Sequence, residues 1–289
     1  MEFLRPRSFG EALRLRAERP DALVIAGGTD VMVELNLGDH RPAALLDLDG
    51  LAELGGYEET PEKITLRAGI TFAQIVDRFG EGLPALAAAA RTVGSPQIRN
   101  RATLGGNLGT ASPAGDAHPV LLATGATVRV VSVRGSREIS AAEFFVGPGR
   151  SALAPDELIV AVEVPVTGPM QTFAKVGPRN AMVIAVCSFA LCVDPLARRV
   201  GTGIGSAAPT PVCAAAAEEQ LATALDAIGW EPAALPRAAV ARFAELVAAA
   251  ARPIDDQRGS AAYRRHALEV LARRAVDWLR APALATGAH

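Results

Sequence analysis

TLGGNLGTASPAGD, from Thr103 to Asp116, is the stretch of this chain that decides its fold, and an earlier glycine turn, AGGTD, occupies Ala26–Asp30. Adjacent glycines let a ligand approach the backbone closely and leave the N–H groups unshielded. The neighbouring hydroxyl and amide side chains are short polar groups of the kind that bind phosphate and ribose oxygens. Each turn follows an apolar segment, so the two turns together indicate a long ligand that is held at two places.

Composition excludes several classes of protein. The chain has 289 residues, of which 50% are hydrophobic, and its net charge is −2, without the basic face expected of a nucleic-acid-binding protein. Its apolar runs are interrupted and too short to span a membrane. The opening residues 1–13 lack the apolar run of a secretory signal, so we expect a cytoplasmic protein.

The cysteines and histidines do not form a metal site in the sequence. Iron–sulfur clusters need groups of four cysteines, whereas this chain has three scattered ones: Cys187, Cys192 and Cys213. None of the four histidines has metal-ligand spacing: His40, His118, His266 and His289. We therefore expect buried thiols, and no metal enzyme in this chain alone.

Hydrophobic periodicity and two capping boxes, Ser8 with Glu11 and Thr71 with Gln74, predict an α+β fold. The first part of the chain is predicted to form helix, strand, helix and strand: Ser8–Glu18, Leu23–Ala26, Val31–Leu37 and Ala44–Leu48. The next part mixes strands and helices: Ile64–Ala68, Thr71–Phe79, Leu83–Val93, Asp116–Ala123, Thr127–Val133, Glu138–Ser140 and Glu157–Val164. Gly94–Gly115 holds so many Gly, Pro, Ser and Asn residues that it is predicted to be a long functional loop.

From about Met170 strands are followed by helices. The predicted strands form a three-stranded antiparallel meander: Gln171–Val176, Met182–Val193 and Arg199–Gly205. The predicted helices follow them: Cys213–Ile228, Pro236–Ala251 and Ser260–Arg280. This order predicts a separate C-terminal α+β domain, so we divide the chain into residues 1–57, 58–168 and 169–289.

A second glycine pattern, GIGSAA at Gly203–Ala208, is similar to the dinucleotide-binding fingerprint, and we reject it. That fingerprint requires a helix to begin at once, but Pro209 and Pro211 follow. Alternating glycines in a strand are more typical of close packing against another element.

Together the glycine motifs resemble those of the FAD-binding subunits of the molybdenum hydroxylases, the group of xanthine dehydrogenase and carbon monoxide dehydrogenase. The family's flavin motifs have the forms A-G-G-T-D and T-x-G-G-N-x-x-x-A-S-P-x-x-D. Further segments match in the same order: Gly94–Asn100, Phe144–Gly149, Pro155–Ile159, Lys175–Ala181 and Ser260–Arg265. The resemblance implies the FAD-binding fold of the p-cresol methylhydroxylase type, with two α+β subdomains, followed by a C-terminal α+β domain with a three-stranded antiparallel sheet and helices.

The resemblance also implies noncovalent FAD as the cofactor, with its phosphates bound by amides of the two glycine turns. Molybdopterin and iron–sulfur clusters are then expected only on partner subunits. No catalytic residue and no metal ligand is implied in this chain. The residues implied to bind FAD are Ala26, Gly27, Gly28, Thr29, Asp30, Thr103, Gly105, Gly106, Asn107, Thr110, Ser112, Asp116 and Lys175.

Several of these assignments leave an alternative open. Asp116 either contacts the sugar portion of the flavin or caps the helix that follows. Lys175 either lies beside the isoalloxazine ring, where its charge favours the reduced flavin, or is a solvated strand lysine. Gln97–Asn100 either contacts the ligand or braces the loop, and Arg179 is more typical of a surface or domain-pairing arginine. The aromatic side chain that some relatives place beside the flavin is not apparent at Asn180–Val183.

The function implied by the resemblance is electron transfer. FAD here would take electrons from iron–sulfur clusters of a small subunit, after substrate hydroxylation on a molybdopterin-binding large subunit, and pass them to NAD or another acceptor. Gly147–Gly149 and Ala207–Pro211 favour a xanthine dehydrogenase, and a carbon monoxide or other heterocycle dehydrogenase is the alternative. Two further hypotheses are an independent FAD oxidoreductase, for which the motifs lack a proton-handling His or Tyr, and a flavin-free scaffold, against which the intact motifs argue.

Overall fold

The computed structural model of the protein describes residues 1–38 and 41–280, so His40 and His289 lie outside the described residues. Its strands form sheets of three, five and three strands and one two-stranded hairpin, and helices pack between and behind them. The α+β class is therefore confirmed. No helix in the described ranges is long and apolar enough to cross a membrane.

The first sheet is small and parallel, and its strand order is β1-β3-β2. The strands are β1 (Glu2–Leu4), β2 (Leu23–Ile25) and β3 (Ala44–Asp47). The helices that join them are α1 (Phe9–Glu18) and α2 (Val31–Leu37). Ser8 caps α1 by accepting the N–H of Glu11, but the Glu11 carboxylate accepts the N–H of Arg7, so the capping box is only half formed.

The second sheet is antiparallel, and its strand order is β4-β5-β10-β6-β7. Its strands, with the hairpin β8–β9, are β4 (Tyr57–Glu59), β5 (Lys63–Arg67), β6 (Thr127–Ser132), β7 (Gly135–Ser140), β8 (Phe145–Gly147), β9 (Arg150–Ser151) and β10 (Leu158–Pro165). The helices of this part are α3 (Phe72–Arg78), α4 (Pro84–Arg91), α5 (Pro96–Arg99), α6 (Leu104–Thr110), α7 (Ala117–Thr124) and α8 (Ala141–Phe144). One hydrophobic core runs through the first two sheets and joins Leu46, Leu66, Phe72 and Val162.

The third sheet is the predicted antiparallel meander, in the order β11-β12-β13. Its strands are β11 (Gln171–Val176), β12 (Cys187–Asp194) and β13 (Arg199–Gly205). Three helices cover it: α9 (Ala215–Asp226), α10 (Arg237–Ala250) and α11 (Ala261–Arg280). Its core is a second cluster that includes Phe189 and Phe243. The strand predicted to begin at Met182 begins at Cys187, because Met182 has a φ of +50° and turns the chain.

The prediction that Gly94–Gly115 lacks regular structure is wrong, because α5 and α6 lie within it. Side chains cap both helices: Ser95 accepts the N–H of Ile98, and Thr103 accepts the N–H of Gly106. The glycines of α6 also serve tertiary packing. A Cβ at Gly105 would lie 2.7 Å from the Cβ of Ala68, so packing against the sheet overrides the low helix propensity of glycine.

The glycines of β13 bring the third sheet onto α7. A Cβ at Gly203 would lie 1.8 Å from the carbonyl oxygen of Pro119, and one at Gly201 would lie 2.0 Å from that of Ala123. The Arg199 guanidinium donates to the Ala123 and Thr124 carbonyls at 3.0 and 2.8 Å. The predicted close packing of the strand glycines is thus confirmed, and it places β13 and β12 against α7.

Candidate functional site

One large cleft brings together all the residues that the resemblance implies bind the cofactor. Its volume is about 1190 Å³, which exceeds the range of about 300–1,000 Å³ typical of small-molecule pockets. Its walls come from the first glycine turn, from α6, from the segment before α7 and from β11. The candidate residues that line it are Ala26, Gly27, Gly28, Thr29, Asp30, Thr103, Gly105, Gly106, Asn107, Thr110, Ser112, Asp116 and Lys175.

The first glycine turn, between β2 and α2, presents free hydrogen-bond donors. Within residues 1–38 and 41–280, the N–H groups of Gly27, Gly28, Thr29 and Asp30 have no hydrogen-bond acceptor. Gly28 has a φ of +76°, which favours glycine, and a Cβ at Gly27 would lie 1.8 Å from the carbonyl oxygen of Arg101. Successive free amides of this kind form an anion-binding concavity.

The amides of the second glycine motif, by contrast, already have acceptors within the protein. The N–H of Gly105 donates to the Ala68 carbonyl at 2.8 Å. The N–H of Gly106 donates to Thr103 Oγ1, and that of Asn107 to the Thr103 carbonyl, both at 3.0 Å. Of the two sets of amides predicted to bind phosphate, those of the first turn are therefore free and those of Gly105–Asn107 are occupied.

The second motif contributes open space instead. A Cβ at Gly109 would have no neighbour within 4 Å, and one at Gly106 would meet only Thr103 Oγ1, at 3.0 Å. Both glycines line the cleft, so the face of α6 that they share lets a ligand reach the helix backbone. Sequence reasoning did not select Gly109. Its spacing of i, i+3 from Gly106 is the signal that could have found it.

Thr110 and Asn107 complete the part of the site at α6. Thr110 Oγ1 lies 2.8 Å from Asp30 Oδ2 and donates to it, which joins the two glycine motifs across the cleft. The buried Oδ1 of Asn107 has no hydrogen-bond partner in the described chain. Buried polar atoms are normally paired, so this oxygen is free to accept a hydrogen bond from a ligand.

Lys175 and Asp116 form a buried ion pair that sequence reasoning did not anticipate. Lys175 Nζ lies 2.6 Å from Asp116 Oδ2, and the two side chains are only 7% and 8% exposed. Lys175 also donates to the Thr92 carbonyl, and Asp116 accepts from Thr92 Oγ1, both at 3.1 Å. Burial raises the pKa of the Asp116 carboxyl, and the charge of Lys175 opposes that shift.

This geometry argues against one alternative for each of these two residues. Lys175 is not a solvated strand lysine, because its side chain is buried. Asp116 makes no capping hydrogen bond to α7. Its second oxygen, Oδ1, is buried and has no partner among the described residues, so like Asn107 Oδ1 it is available to a ligand.

His118 contacts the backbone of the second glycine motif. Its Nε2 lies 3.2 Å from the Asn107 carbonyl oxygen, and its ring centroid lies 4.4 Å from that of Phe145. Complete burial lowers the pKa of His118 to about 4, so the neutral ring donates to the Asn107 carbonyl at physiological pH. The sequence drew attention to this residue only as a metal ligand that lacked partners.

Two arginines brace segments of the cleft wall. Arg99 donates to the Val93 and Gly94 carbonyls at 3.2 Å. Arg179 donates to the Met182 carbonyl. In the Gln97–Asn100 segment Arg99 thus braces the loop, while Ile98 lines the cleft.

Beyond Arg179 the cleft is bordered by apolar side chains. Met182, Val183 and Ile184 line it, and Met182 and Ile184 are 56% and 51% exposed. The sequence shows no aromatic residue in this segment, and these aliphatic side chains lie on the same cleft as Lys175.

Comparison with known proteins identifies the family to which this site belongs. Residues 1–167 match the family described as FAD binding domain in molybdopterin dehydrogenase, and residues 172–279 match the CO dehydrogenase flavoprotein C-terminal domain. The chain belongs to the FAD-binding subunits of the molybdenum hydroxylases. The predicted family and the predicted cofactor, FAD, are confirmed.

Individual relatives of this flavin subunit come from different enzymes. The nicotinate dehydrogenase FAD-subunit of Eubacterium barkeri is 36% identical, over 66% of this chain and 68% of the relative. The xanthine dehydrogenase FAD-binding subunit of Escherichia coli O157:H7 is 34% identical, over 74% and 77%. Among solved structures, CO dehydrogenase from Oligotropha carboxidovorans has a chain that superposes with a TM-score of 0.86 at 26% identity and covers 98% of both chains.

Independently of these comparisons, the geometry of the cleft suits FAD. The free amides of Gly27–Asp30 match an anionic diphosphate. The two partnerless oxygens, on Asn107 and Asp116, match the hydroxyl groups of a sugar chain. The open glycine face of α6 leaves the room that a long ligand needs.

Proposed function

We propose that this chain is the electron-transfer subunit of a molybdenum-dependent hydroxylase and that it holds FAD noncovalently in the cleft. The observation that carries the proposal is that both flavin motifs and Lys175 line a single cleft of about 1190 Å³. When bound, FAD supplies the redox chemistry, since it accepts electrons from a partner and passes them to an acceptor.

We assign a role to each group of residues from its free hydrogen-bond donors or acceptors, its open space or its charge. The free amides of Gly27–Asp30 bind the diphosphate, and the glycine face of α6 receives the ligand closely. The free oxygens of Asn107 and Asp116 accept hydrogen bonds from ligand hydroxyls. Lys175, held by Asp116 and Thr92 on the cleft wall, would lie beside the isoalloxazine ring, as the family resemblance implies, and its charge would favour the reduced flavin.

The electrons come from a partner in this proposal, and so does the hydroxylation chemistry. No cluster of His, Cys, Asp and Glu that could hold a metal exists in the described ranges. The family description names a molybdopterin dehydrogenase, and the relatives are named as subunits. We therefore assign the iron–sulfur clusters to a small partner subunit, the molybdopterin to a large one, and the role of final acceptor to NAD or another oxidant.

For the holoenzyme we favour hydroxylation of a purine such as xanthine, in line with the Escherichia coli relative. The Eubacterium barkeri relative supports a pyridine carboxylate as the second candidate. Both are electron-poor nitrogen heterocycles. We also retain the division into residues 1–57, 58–168 and 169–289 as a proposal, with the cleft formed where the three parts meet.

A pair of glycine substitutions tests the binding of FAD to the cleft. Gly109→Leu places a side chain on the open face of α6, whereas Gly10→Leu does the same on α1, at an exposed helical glycine that also has no neighbour within 4 Å and is not in the cleft. Leucine favours a helix over glycine by about 1 kcal/mol, so neither change should unfold the protein. We expect Gly109→Leu to purify without bound FAD and Gly10→Leu to retain it.

The same preparation separates the remaining hypotheses. A wild-type chain that is colourless and does not take up added FAD would favour the flavin-free scaffold. Retention of FAD by Gly109→Leu at the wild-type level would place the cofactor elsewhere. Reduction of the bound FAD by a small substrate in the isolated chain would favour the independent oxidoreductase.

A further inference from the structure

Arg264 is a buried charged side chain outside the cleft. It lies in the first turn of α11 and is 4% exposed. Its Nη2 donates to Asp256 Oδ1 at 2.6 Å, and its Nη1 donates to the backbone carbonyl of Ser206. A buried guanidinium is costly unless it is paired and hydrogen-bonded, and these two contacts supply that pairing, while the buried Nε has no partner among the described residues.

Ser206, directly after β13, holds a conformation that residues with a Cβ rarely adopt. Its φ is +58°, in the left-handed region. Arg264 binds its carbonyl, and its N–H donates to the carbonyl of Pro113 at 2.9 Å. Both backbone polar groups of Ser206 are therefore engaged, one by α11 and the other by the segment before α7.

Pro113 belongs to the segment Ser112–Asp116, which we term the cofactor loop. Ser112, Ala114 and Asp116 in this loop line the cleft. At the start of the loop the N–H groups of Ala114 and Gly115 bond locally to Ser112, and at its end the Asp116 carboxylate accepts from Lys175 and Thr92. The Ser206 N–H thus ties the loop to the same third sheet that supplies Lys175 to Asp116.

We propose that Arg264 is a positioning residue for the cofactor. By holding Ser206 in its left-handed turn, it keeps the Ser206 N–H on Pro113 and so fixes the cofactor loop against the cleft. Without the guanidinium, Ser206 relaxes towards an ordinary φ and its N–H turns away from Pro113. Arg264 does not touch the cofactor itself, and this inference rests on the proposed binding of FAD in the cleft.

Arg280 provides a matched control on the same helix. Its Nε donates to the Pro232 carbonyl at 3.0 Å and its Nη2 donates to the Leu235 carbonyl at 2.6 Å. Unlike Ser206, neither Pro232 nor Leu235 makes a backbone hydrogen bond to the cofactor loop. The experiment compares Arg264→Met with Arg280→Met in the full chain, and measures the Kd of FAD by flavin fluorescence and the Tm of the FAD-free protein.

We expect both methionine variants to lower the Tm, and only Arg264→Met to weaken FAD binding, by about tenfold, as for a lost charged hydrogen bond. A Ser206→Gly substitution provides a rescue, because glycine adopts the left-handed turn without strain and keeps both backbone groups. The double variant R264M/S206G should therefore recover most of the affinity for FAD. A purely structural role for Arg264 does not predict this rescue.

The outcomes separate the inference from the function on which it rests. If wild-type protein does not bind FAD, the proposed function is refuted. If wild type binds FAD but R264M and R280M weaken binding equally, or if S206G fails to rescue R264M, the positioning role is refuted. If R264M does not fold, Arg264→Lys and Arg280→Lys replace the methionine pair, and equal FAD affinities for these two refute the role.

Discussion

Replacement of Lys175 by Met should destabilise the FAD-free chain by about 3–5 kcal/mol, the usual cost of removing one partner of a buried ion pair. The side chains of Lys175 and Asp116 are 7% and 8% exposed, and the ions lie 2.6 Å apart. Methionine fills a volume similar to that of lysine, so the loss of stability comes from the unpaired Asp116 carboxylate rather than from a cavity. Asp116 would keep a single hydrogen bond, from Thr92 Oγ1 at 3.1 Å.

The pH dependence of this loss identifies its cause. Burial already raises the pKa of Asp116, and removal of Lys175 takes away the charge that opposes the shift. A carboxyl whose folded pKa lies above its unfolded value is most favourable to folding when protonated, and it becomes costly as pH rises. The free energy of unfolding of Lys175→Met, measured in urea, should therefore fall only slightly below that of wild type near pH 4. The difference should reach its full size by about pH 7.

A double-mutant cycle completes the test. Asp116→Asn alone leaves Lys175 buried with only the Thr92 carbonyl as a partner, so it should also be strongly destabilising. The double variant K175M/D116N removes both charges and should be more stable than either single variant, with a coupling energy of about 3 kcal/mol. Additive losses in the double variant would refute the view that the two groups stabilise the chain as a pair.

If the flavin ring lies near this ion pair, the same variants should also change the flavin reduction potential. Lys175→Met removes a positive charge and should lower the flavin reduction potential by about 20–45 mV, from about 1–2 kcal/mol for a charge-assisted contact. Asp116→Asn removes a negative charge and should raise the potential. Shifts of opposite sign in redox titrations would exclude general damage to the site, whereas an unchanged potential in both variants would place the ring elsewhere.

Two further predictions concern the protonation of His118 and the subunit that carries the hydroxylation centre. The pKa of His118 is about 4 in the folded chain and 6.5 when exposed, so wild type should lose about 3 kcal/mol of stability as pH falls from 6.5 to 4. Urea unfolding of His118→Gln should lack this component, and an identical slope in both proteins would contradict the assignment. The isolated chain with bound FAD should also show no bleaching of its flavin absorbance on anaerobic addition of xanthine, because the hydroxylation centre lies on a partner; bleaching would contradict that.

Local signals in the sequence were sufficient for much of the fold. The helix Val31–Leu37 and the strands Gln171–Val176 and Arg199–Gly205 have the predicted bounds. The helix Phe72–Arg78 has the complete capping box predicted from Thr71 and Gln74. Caps and alternation depend on neighbours within four residues, so they can be read without tertiary information.

Elements whose stability comes from distant partners were missed or misjudged. The short strands Glu2–Leu4 and Tyr57–Glu59 exist because each pairs with a neighbouring strand, and three residues carry too little pattern to reveal this. Helix α6 reads as a loop because glycine is a poor helix former, and its packing against Ala68 is invisible in the sequence. The residues of both glycine motifs line the predicted site. Which of their N–H groups already have an acceptor inside the protein, however, depends on that packing.

The ion pair shows most clearly why the site could not be derived residue by residue. Lys175 and Asp116 are 59 positions apart, and each had a plausible solitary role. They meet where the third sheet packs against α4 and α7, and the glycines of β13, which have no side chains, let that sheet lie directly on the backbone of α7. Any side chain at Gly203 would collide with Pro119 and push Lys175 away from the start of that helix. The pairing of Lys175 with Asp116 therefore depends on a sheet-to-helix contact that lies outside the cleft.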